Sequence, residues 1–436
     1  MPTPEAADLL IEARWLLPIA PENTVLRAHG VIVSGGRIRA VGPVAELLKR
    51  FAPREHLLRE RHALLPGLVN AHTRACHTLL RGLTEQARAS ALILNADFVR
   101  DGTRVAIAEM LRAGITCFGD LSLSPEEVAR TVAAAQMRAV IGLPVADTPT
   151  PWAENATAHL GKAERLWDEY RGDPRIGWFF APFGAEALSD ATLARVRRVT
   201  DELDARLALD LAERPSSWVR SAAHATGASA VEDGPRVLPS TSLRRLANLG
   251  LVRPGFTAIG AAGLGDFDLE LIERHGASLV ACPQADLGRH ARGAAVPMLE
   301  GDRTGLGTDS APAATTLDVL AEMRAAALHS HLSPGAALRL ATLGGATALG
   351  LSSEIGSIEP GKAADLICIE LDDLACRPSA GVEHAIVFAA TRSQVSDVWA
   401  AGRALVSGGR LLGFSEEEIS SITERWTRRL ALEAAA

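Results

Sequence analysis

The chain has 436 residues, of which 47% are hydrophobic and 22% are charged, so it has enough apolar residues for a large core and is not expected to be disordered. The formal net charge of −7 argues against nucleic-acid and anionic-membrane partners. No apolar run reaches the roughly 18 residues of a membrane span, and Met1–Asp8 lacks the pattern of a signal peptide. The five cysteines are scattered, which is typical of a reducing compartment, and we expect a cytoplasmic protein.

Strand patterns occur at both ends of the chain. Leu9–Leu17 and Val31–Val41 are rich in apolar and β-branched residues, and Gly35-Gly36 predicts a turn inside the second segment. Near the C-terminus we predict three short strands followed by a helix over Ser415–Leu432. These three strands are Asp365–Glu370, His384–Ala389 and Val395–Ala400.

Between the two ends, apolar strand patterns alternate with helical patterns. Helices are predicted at Val105–Arg112, Ala191–Leu203 and Asp318–Ala327, and Ser333-Pro334 marks the start of another over Gly335–Leu349. Eight such strands favour a parallel (β/α)8 TIM-type barrel, with a doubly wound open sheet as the alternative. The predicted strands are Leu64–Asn70, Ile115–Asp120, Arg138–Leu143, Ile176–Ala181, Leu207–Leu211, Phe256–Gly260, Ser278–Cys282 and Gly305–Thr308.

A barrel of this kind carries its functional residues where the strands end and the following loops begin. His72, Thr73 and Arg74 follow the first predicted strand, and Asp120 ends the second. The other candidates, each at the end of a later predicted strand, are Phe183, Asp210, Glu213, Gly260 and Asp309.

One segment is highly specific: Leu65-Pro66-Gly67-Leu68-Val69-Asn70-Ala71-His72-Thr73-Arg74. With Gly307-Thr308-Asp309 and the run from Gly356 to Leu366, it resembles the amidohydrolase superfamily. The resemblance is to the deaminase and chlorohydrolase branch, which includes methylthioadenosine/S-adenosylhomocysteine deaminases. It implies hydrolysis of C–N bonds with a bound divalent metal, zinc or iron.

The resemblance also implies a domain organisation. It places the α/β barrel, of the (β/α)8 TIM type, at residues 63–357. Residues 1–62 and 358–436 are expected to form a composite β-sandwich from the N- and C-terminal segments.

The chain differs from this branch at most of its metal-site positions. The family's first segment ends in His-Thr-His, and its second histidine is Arg74 here. The resemblance places three further family histidines at Phe183, Asp210 and Gly260. The residues that keep their family identities are His72, Glu213 and Asp309.

We assign two kinds of role to these positions. Glu213 and Asp309 are candidate catalytic carboxylates. The candidate substrate-pocket residues are His72, Arg74, Phe183, Asp210 and Gly260.

These replacements bear directly on hydrolysis. A catalytic metal needs about three or four protein ligands and lowers the pKa of its bound water from ~15.7 towards ~7. Arginine is not a metal ligand, because its guanidinium has only donors and stays protonated. Without a metal, Glu213 and Asp309 would have no activated water, and we expect no cofactor.

Two arrangements of the altered site follow. In the first, the Arg74 guanidinium lies near the former metal position and forms ion pairs with Asp210 and Asp309, because buried carboxylates need a cation. In the alternative, His72, Asp210 and Asp309 bind one divalent metal, zinc or iron. The first is favoured because Arg74 would place a positive charge beside such a metal.

Three functions are therefore considered. The favoured one is a catalytically impaired or inactive homologue that binds a small molecule, or that forms a homodimer or a heterodimer with an active relative. The second is an active hydrolase or deaminase of a heterocyclic amine with a rebuilt His72/Asp210/Asp309 site. The third is metal-independent chemistry in which Glu213 acts as acid or base and Arg74 stabilises an anion.

Overall fold

The computed structural model describes residues 3–82, 95–183, 187–211, 239–288, 296–311, 316–379 and 381–434. Within these ranges, eight parallel strands lie side by side in chain order, each hydrogen-bonded to the next. The predicted α/β barrel is confirmed. Its strands are β5 (Leu68–Thr73), β6 (Ile115–Asp120), β7 (Arg138–Val145), β8 (Ile176–Pro182), β9 (Arg206–Asp210), β10 (Phe256–Ile259), β11 (Ser278–Ala281) and β12 (Thr304–Leu306).

The barrel strands are apolar along nearly their whole length because helices cover their outer side. The helix Ala96–Arg112 illustrates how the helices begin, since the Asn95 side chain accepts a hydrogen bond from Phe98 N at 2.9 Å. The other main helices within the barrel region are Pro125–Ala135, Ala156–Glu169, Asp190–Glu202, Pro239–Asn248, Asp266–Arg274, Pro283–Gly288, Val319–Ser330 and Pro334–Arg339.

The first and eighth barrel strands meet through polar contacts that the sequence did not predict. A parallel bridge joins Thr73 to Asp309. Beneath it, Asn70 Nδ2 donates to Thr308 Oγ1 at 2.8 Å, and Thr308 N donates to Asn70 Oδ1 at 3.0 Å. The open-sheet alternative is wrong, since these contacts close the barrel at the ends that carry His72 and Asp309.

The two ends of the chain come together in one eight-stranded sheet, which confirms the predicted composite unit. In this sheet, β4 (Phe51–Pro66) lies between an N-terminal strand, β1 (Glu5–Leu16), and a C-terminal strand, β13 (Leu366–Glu370). The β1–β4 pair is parallel and the β4–β13 pair is antiparallel. The remaining strands are β2 (His29–Ser34), β3 (Arg37–Pro43), β14 (Val395–Ala400), β15 (Arg403–Ser407) and β16 (Arg410–Leu411).

One predicted element is wrong. His384–Ala389 was expected as a strand, but Val382–His384 is helical and Ala385–Ala389 continues it as a π-helical turn. Ile386 and Val387 are completely buried there. A short apolar run can be a buried strand or a buried helical turn, and only its packing decides between them.

The final helix, Glu416–Ala434, packs against Ala96–Arg112, which follows the first barrel strand. Trp426 Nε1 donates to Asp101 Oδ2 at 2.9 Å, and the Trp426 ring packs edge-to-face on Phe98 at 5.2 Å between centroids. No helix in the described ranges is long and apolar enough to cross a membrane.

Candidate functional site

The first barrel strand directs alternate polar residues towards the barrel interior. Asn70 and His72 are buried on β5, and Arg74 follows two positions later, just beyond its end. The eighth strand approaches so closely here that a Cβ on Gly307 would lie 2.7 Å from His72 Cβ and 2.8 Å from His72 O. Glycine at position 307 is therefore required for the His72 backbone to take this position.

Arg74 and Asp210 form a buried ion pair across the barrel mouth. Arg74 Nη2 donates to Asp210 Oδ2 at 3.2 Å. The two residues are only 5% and 9% exposed, so water screens their interaction weakly. Of the two ion pairs expected for Arg74, with Asp210 and with Asp309, the structure shows the one with Asp210.

His72 lies between the carboxylates of Asp210 and Asp309. Its Nε2 atom is 3.8 Å from Asp210 Oδ2 and 3.7 Å from Asp309 Oδ1, close for electrostatics but too long for hydrogen bonds. Within the described part of the chain, neither His72 ring nitrogen makes a hydrogen bond, although the residue is 1% exposed. A buried polar group without a hydrogen bond lowers the stability of the fold by about 1–3 kcal/mol. A ligand or a water that bonded to the His72 ring would therefore be stabilising.

Asp309 is held at the site through its backbone. The peptide nitrogens of Thr308 and Asp309 both donate to His72 O, at 2.9 and 3.1 Å, and Thr73 Oγ1 donates to Asp309 O at 3.0 Å. Asp309 has a φ of 53°, in the left-handed region that aspartate enters more readily than most residues. Its Oδ1 accepts a hydrogen bond from Ser310 N at 2.6 Å.

Asp120 belongs to the same buried group, although sequence analysis predicted only that it lies at the end of a strand. Its Oδ1 accepts a hydrogen bond from Ala75 N at 2.7 Å, which fixes the turn that begins after Arg74. Burial raises the pKa of the Asp120 carboxyl above its ordinary value, against the opposite effects of its hydrogen bonds and of nearby His72 and Arg74. The sequence feature that could have indicated this role is a carboxylate at the end of an otherwise largely apolar predicted strand.

The structure places two further candidates at the same end of the barrel. Phe183 follows the fourth barrel strand, where its backbone nitrogen donates to Val145 O at 2.8 Å. Gly260 follows the sixth strand and has a φ of 91°. Glu213 lies outside the described residues, so its role as a catalytic carboxylate stays a prediction.

A thiol borders the acidic side of the site. Cys282 follows the seventh barrel strand and is buried. Burial raises the pKa of the Cys282 thiol well above its ordinary value, and the charges of Asp309 and Asp210 act in the same direction. These effects disfavour the thiolate form that a nucleophilic cysteine needs.

Comparison with known proteins agrees with this architecture. Residues 63–405 match the model of the amidohydrolase family, which covers the barrel and most of the C-terminal strands. The chain belongs to the amidohydrolase family.

Relatives of this amidohydrolase include proteins named as deaminases. It is 32% identical to a 5-methylthioadenosine/S-adenosylhomocysteine deaminase of Teredinibacter turnerae, over 97% of this chain and 98% of the relative. Among solved structures, a Xanthomonas campestris adenosine deaminase with bound zinc is 34% identical, with a TM-score of 0.88 over 99% of this chain and 100% of that chain. An Arthrobacter aurescens atrazine chlorohydrolase in complex with zinc shares the fold, at 17% identity and a TM-score of 0.80 over 96% and 99% of the two chains.

The charge of Arg74 counts against a divalent metal beside Asp210 at the barrel mouth. A permanently charged guanidinium lies 3.2 Å from the Asp210 oxygen that a metal would need, and it would repel a second cation there. Among the described residues, no group of three or more His, Cys, Asp or Glu side chains is arranged to hold a metal ion. The side chains of His72, Arg74, Asp210 and Asp309 can present charged and hydrogen-bonding groups to an organic ligand.

Proposed function

We propose that this amidohydrolase-family protein binds a small molecule in its barrel pocket without a catalytic metal and has lost the metal-dependent hydrolysis of C–N bonds. The observation that carries the proposal is the buried contact between Arg74 Nη2 and Asp210 Oδ2 at 3.2 Å. Arg74 stands where the family has a histidine, and Asp210 stands where the family has another. The guanidinium supplies the positive charge that the metal would otherwise supply.

The loss of hydrolysis follows from the chemistry of water. An unactivated water has a pKa of ~15.7, and a metal brings it to ~7, which corresponds to roughly 12 kcal/mol of proton-release free energy. Arg74 can stabilise a negative charge, but it has no vacant coordination position at which to hold a hydroxide. Asp309, as a base, would have to act on ordinary water.

The binding role is supported by the contacts that hold His72 and Asp309 in place. Gly307 admits the His72 backbone, two peptide nitrogens hold His72 O, and Thr73 holds Asp309 O. His72 keeps two buried ring nitrogens that a ligand's polar groups can bond. Phe183, in place of a family histidine, makes one wall more apolar, which suits an organic ligand.

A second candidate function is a deaminase of a heterocyclic amine. It is favoured by the approach of His72 Nε2 to Asp210 Oδ2 and Asp309 Oδ1, at 3.8 and 3.7 Å, since these are the residues of the alternative ligand set. It is also favoured by the deaminase names of relatives about 30% identical to this chain. This candidate needs either a metal held by these three residues or Glu213 as a metal-independent acid.

Elemental analysis of the purified protein, before and after incubation with zinc and iron and desalting, separates the two candidates. We expect less than about 0.1 equivalent of metal and no enzyme-dependent ammonia release from 5-methylthioadenosine, S-adenosylhomocysteine or adenosine. One equivalent of tightly bound metal, or ammonia release that Asp309→Asn abolishes, would overturn the proposal. The Arg74→His/Asp210→His variant is the matched control, because it rebuilds a His-His-His-Asp set with His72 and Asp309.

Assembly is part of the same proposal. In a heterodimer with an active relative, the metal-free chain would have a role beside a working site, whereas a homodimer would contain two metal-free sites. Mass photometry of the purified protein, alone and mixed with such a relative, measures both states. A monomer in both measurements would remove the partner role and leave the small-molecule role.

A further inference from the structure

One edge of strand β4 has no strand partner over most of its length. β4 pairs with β1 from Phe51 onward, but it pairs with β13 only over His62–Pro66. In the part of the chain that the structure describes, β1 and β13 are the two strands that pair with β4. The edge over 52–60 therefore presents backbone N–H and C=O groups that no strand of the described residues takes up.

The open edge is exposed and carries charges of both signs. Its sequence has one Arg-Glu pair at 54–55 and another at 59–60. Between them, His56 and Leu58 are exposed, and Leu58 is one of the large apolar residues left at the surface, at 48% exposure. Charged residues on a strand edge usually prevent pairing with other chains, unless the partner strand presents the opposite charges.

The alternation of side chains limits how this edge can pair with a copy of itself. β4 keeps a constant register with β1 over 51–59, so its side chains alternate regularly between the two faces of the sheet. In a continuous sheet, directly opposed residues lie on the same face, so their numbers must be both even or both odd. An antiparallel pair of identical strands therefore has only a few registers, each centred on one residue.

The register centred on Leu57 matches the charges of both Arg-Glu pairs. In this register, Arg54 of each copy lies opposite Glu60 of the other copy, and both are on the same face. Glu55 likewise lies opposite Arg59. Moving the centre by one residue in either direction leaves Arg59 opposite an uncharged residue, so the full match belongs to this register.

We propose that the open edge of β4 is an interface between two copies of this chain, paired as antiparallel strands centred on Leu57. Each charge pair then occurs twice about the two-fold axis, and the eight-stranded sheet continues into the second copy. Opposite charges placed directly across two strands stabilise their pairing. The inference deepens the homodimer part of the proposed function and rests on it.

The first test reads the register by disulfide trapping. In the proposed register, His56 lies opposite Leu58 of the other copy at about 4.5–5.5 Å between Cα atoms, within disulfide reach, whereas each residue lies about 7–8 Å from its own counterpart. An equal mixture of His56→Cys and Leu58→Cys should give a disulfide-linked dimer on non-reducing gels, and either variant alone should give several-fold less. The five cysteines of the chain are buried, so the unmodified protein sets the background. Equal yields from the mixture and from the single variants would overturn the proposal.

The second test reverses one charge. Glu60→Arg places an arginine opposite Arg54 twice in each dimer, and we expect the dimer Kd from sedimentation velocity to rise about tenfold. Arg54→Glu/Glu60→Arg restores opposite charges and should recover the affinity. Glu424→Arg, at an exposed position of the final helix, is the control and should leave Kd unchanged. A Kd that Glu60→Arg does not raise, or that the double variant does not recover, would contradict the interface.

These outcomes are distinct from failure of the proposed function. A monomer at every concentration would remove both the homodimer and this interface, and metal-free ligand binding would still be judged by elemental analysis. A dimer that responds to neither test would keep the homodimer and remove only this interface. Stoichiometric metal in the unmodified protein would remove the metal-free function, whatever the β4 variants do.

Discussion

The guanidinium of Arg74 lies 3.2 Å from the carboxylate of Asp210, and both groups are buried at the mouth of the barrel. Such a pair contributes little net stability compared with two apolar residues, because both charges had to be removed from water. Removing only one partner is different, because it leaves the other charge buried without this counter-charge. The pair is therefore a constraint on sequence change: neither residue can be replaced alone at low cost.

Replacing Arg74 alone is expected to be strongly destabilising. Arg74→Met should lower the free energy of unfolding by roughly 3–5 kcal/mol, and Arg74→Met/Asp210→Leu should recover most of that loss. Urea denaturation of the two single variants and the double variant measures this coupling. The exposed pair Arg274–Glu270 is the control, where Arg274→Met should cost less than about 1 kcal/mol. Additive effects of the two site substitutions would contradict the coupling.

Glu322 gives a prediction about pH. Burial raises the pKa of this carboxyl to about 8, and its oxygens accept hydrogen bonds from Gln284 N at 2.9 Å and Gln284 Nε2 at 3.1 Å. Between about pH 4.5 and pH 8 the folded protein holds this proton and the unfolded chain does not, so Glu322 lowers stability as pH rises.

The Glu322→Gln variant tests this effect, because glutamine resembles the neutral acid and does not titrate. Its free energy of unfolding should exceed that of the unmodified protein by an amount that grows from pH 5 to pH 8, on the order of 5 kcal/mol at most. Above about pH 8 the difference should level off. Glu424→Gln, at an exposed position of the final helix, is the control and should show no such trend. A difference that is constant with pH would contradict the raised pKa.

Gly307 gives a prediction about the position of His72. Gly307→Ala would place a methyl group 2.7–2.9 Å from His72 backbone and Cβ atoms, so one of the two strands must move. We expect a loss of at least about 2 kcal/mol in the free energy of unfolding, with a shift of the His72 ring signals in NMR spectra. Gly161→Ala, on a helix with open space around the added Cβ, should instead stabilise by up to about 1 kcal/mol.

The final helix gives a prediction about its attachment to the barrel. Trp426→Phe keeps the ring on Phe98 but removes the hydrogen bond to Asp101, and we expect a loss of about 1–3 kcal/mol. Trp426→Ala removes both and should cost about 3–5 kcal/mol. Chemical denaturation followed by circular dichroism measures both values. Equal losses in the two variants would show that the ring contributes nothing to the attachment.

Much of the fold could be predicted from local pattern. Ile115–Asp120 and Val395–Ala400 are strands with the predicted bounds, because each is a short β-branched or apolar run between turn residues. The segment His384–Ala389 shows the limit, since its apolar run packs as a helical turn. Predicted strand Leu64–Asn70 spans two strands, because Gly67 separates β4 from β5 and no periodicity marks that junction.

The candidate site could be predicted only in part. The meeting of Arg74 with Asp210 followed from a motif and from the rule that parallel barrel strands end on one face. The contacts of Asn70 with Thr308 could not be predicted, because they depend on how the first and eighth strands meet when the barrel closes. The φ of 91° at Gly260 likewise could not be predicted, because glycine accepts both signs of φ and the local sequence does not choose between them.

The strand Phe51–Pro66 has a consequence for how this protein is made. Its last residues pair with Leu366–Glu370, which the ribosome adds about 300 residues later. At about 5–20 residues per second, that edge stays without its partner for about 15–60 s while the whole barrel is synthesised. An open strand edge invites pairing with other chains. Nascent chains that stop before Leu366 would carry a complete barrel beside this open edge, and we expect them to aggregate more readily than the full chain.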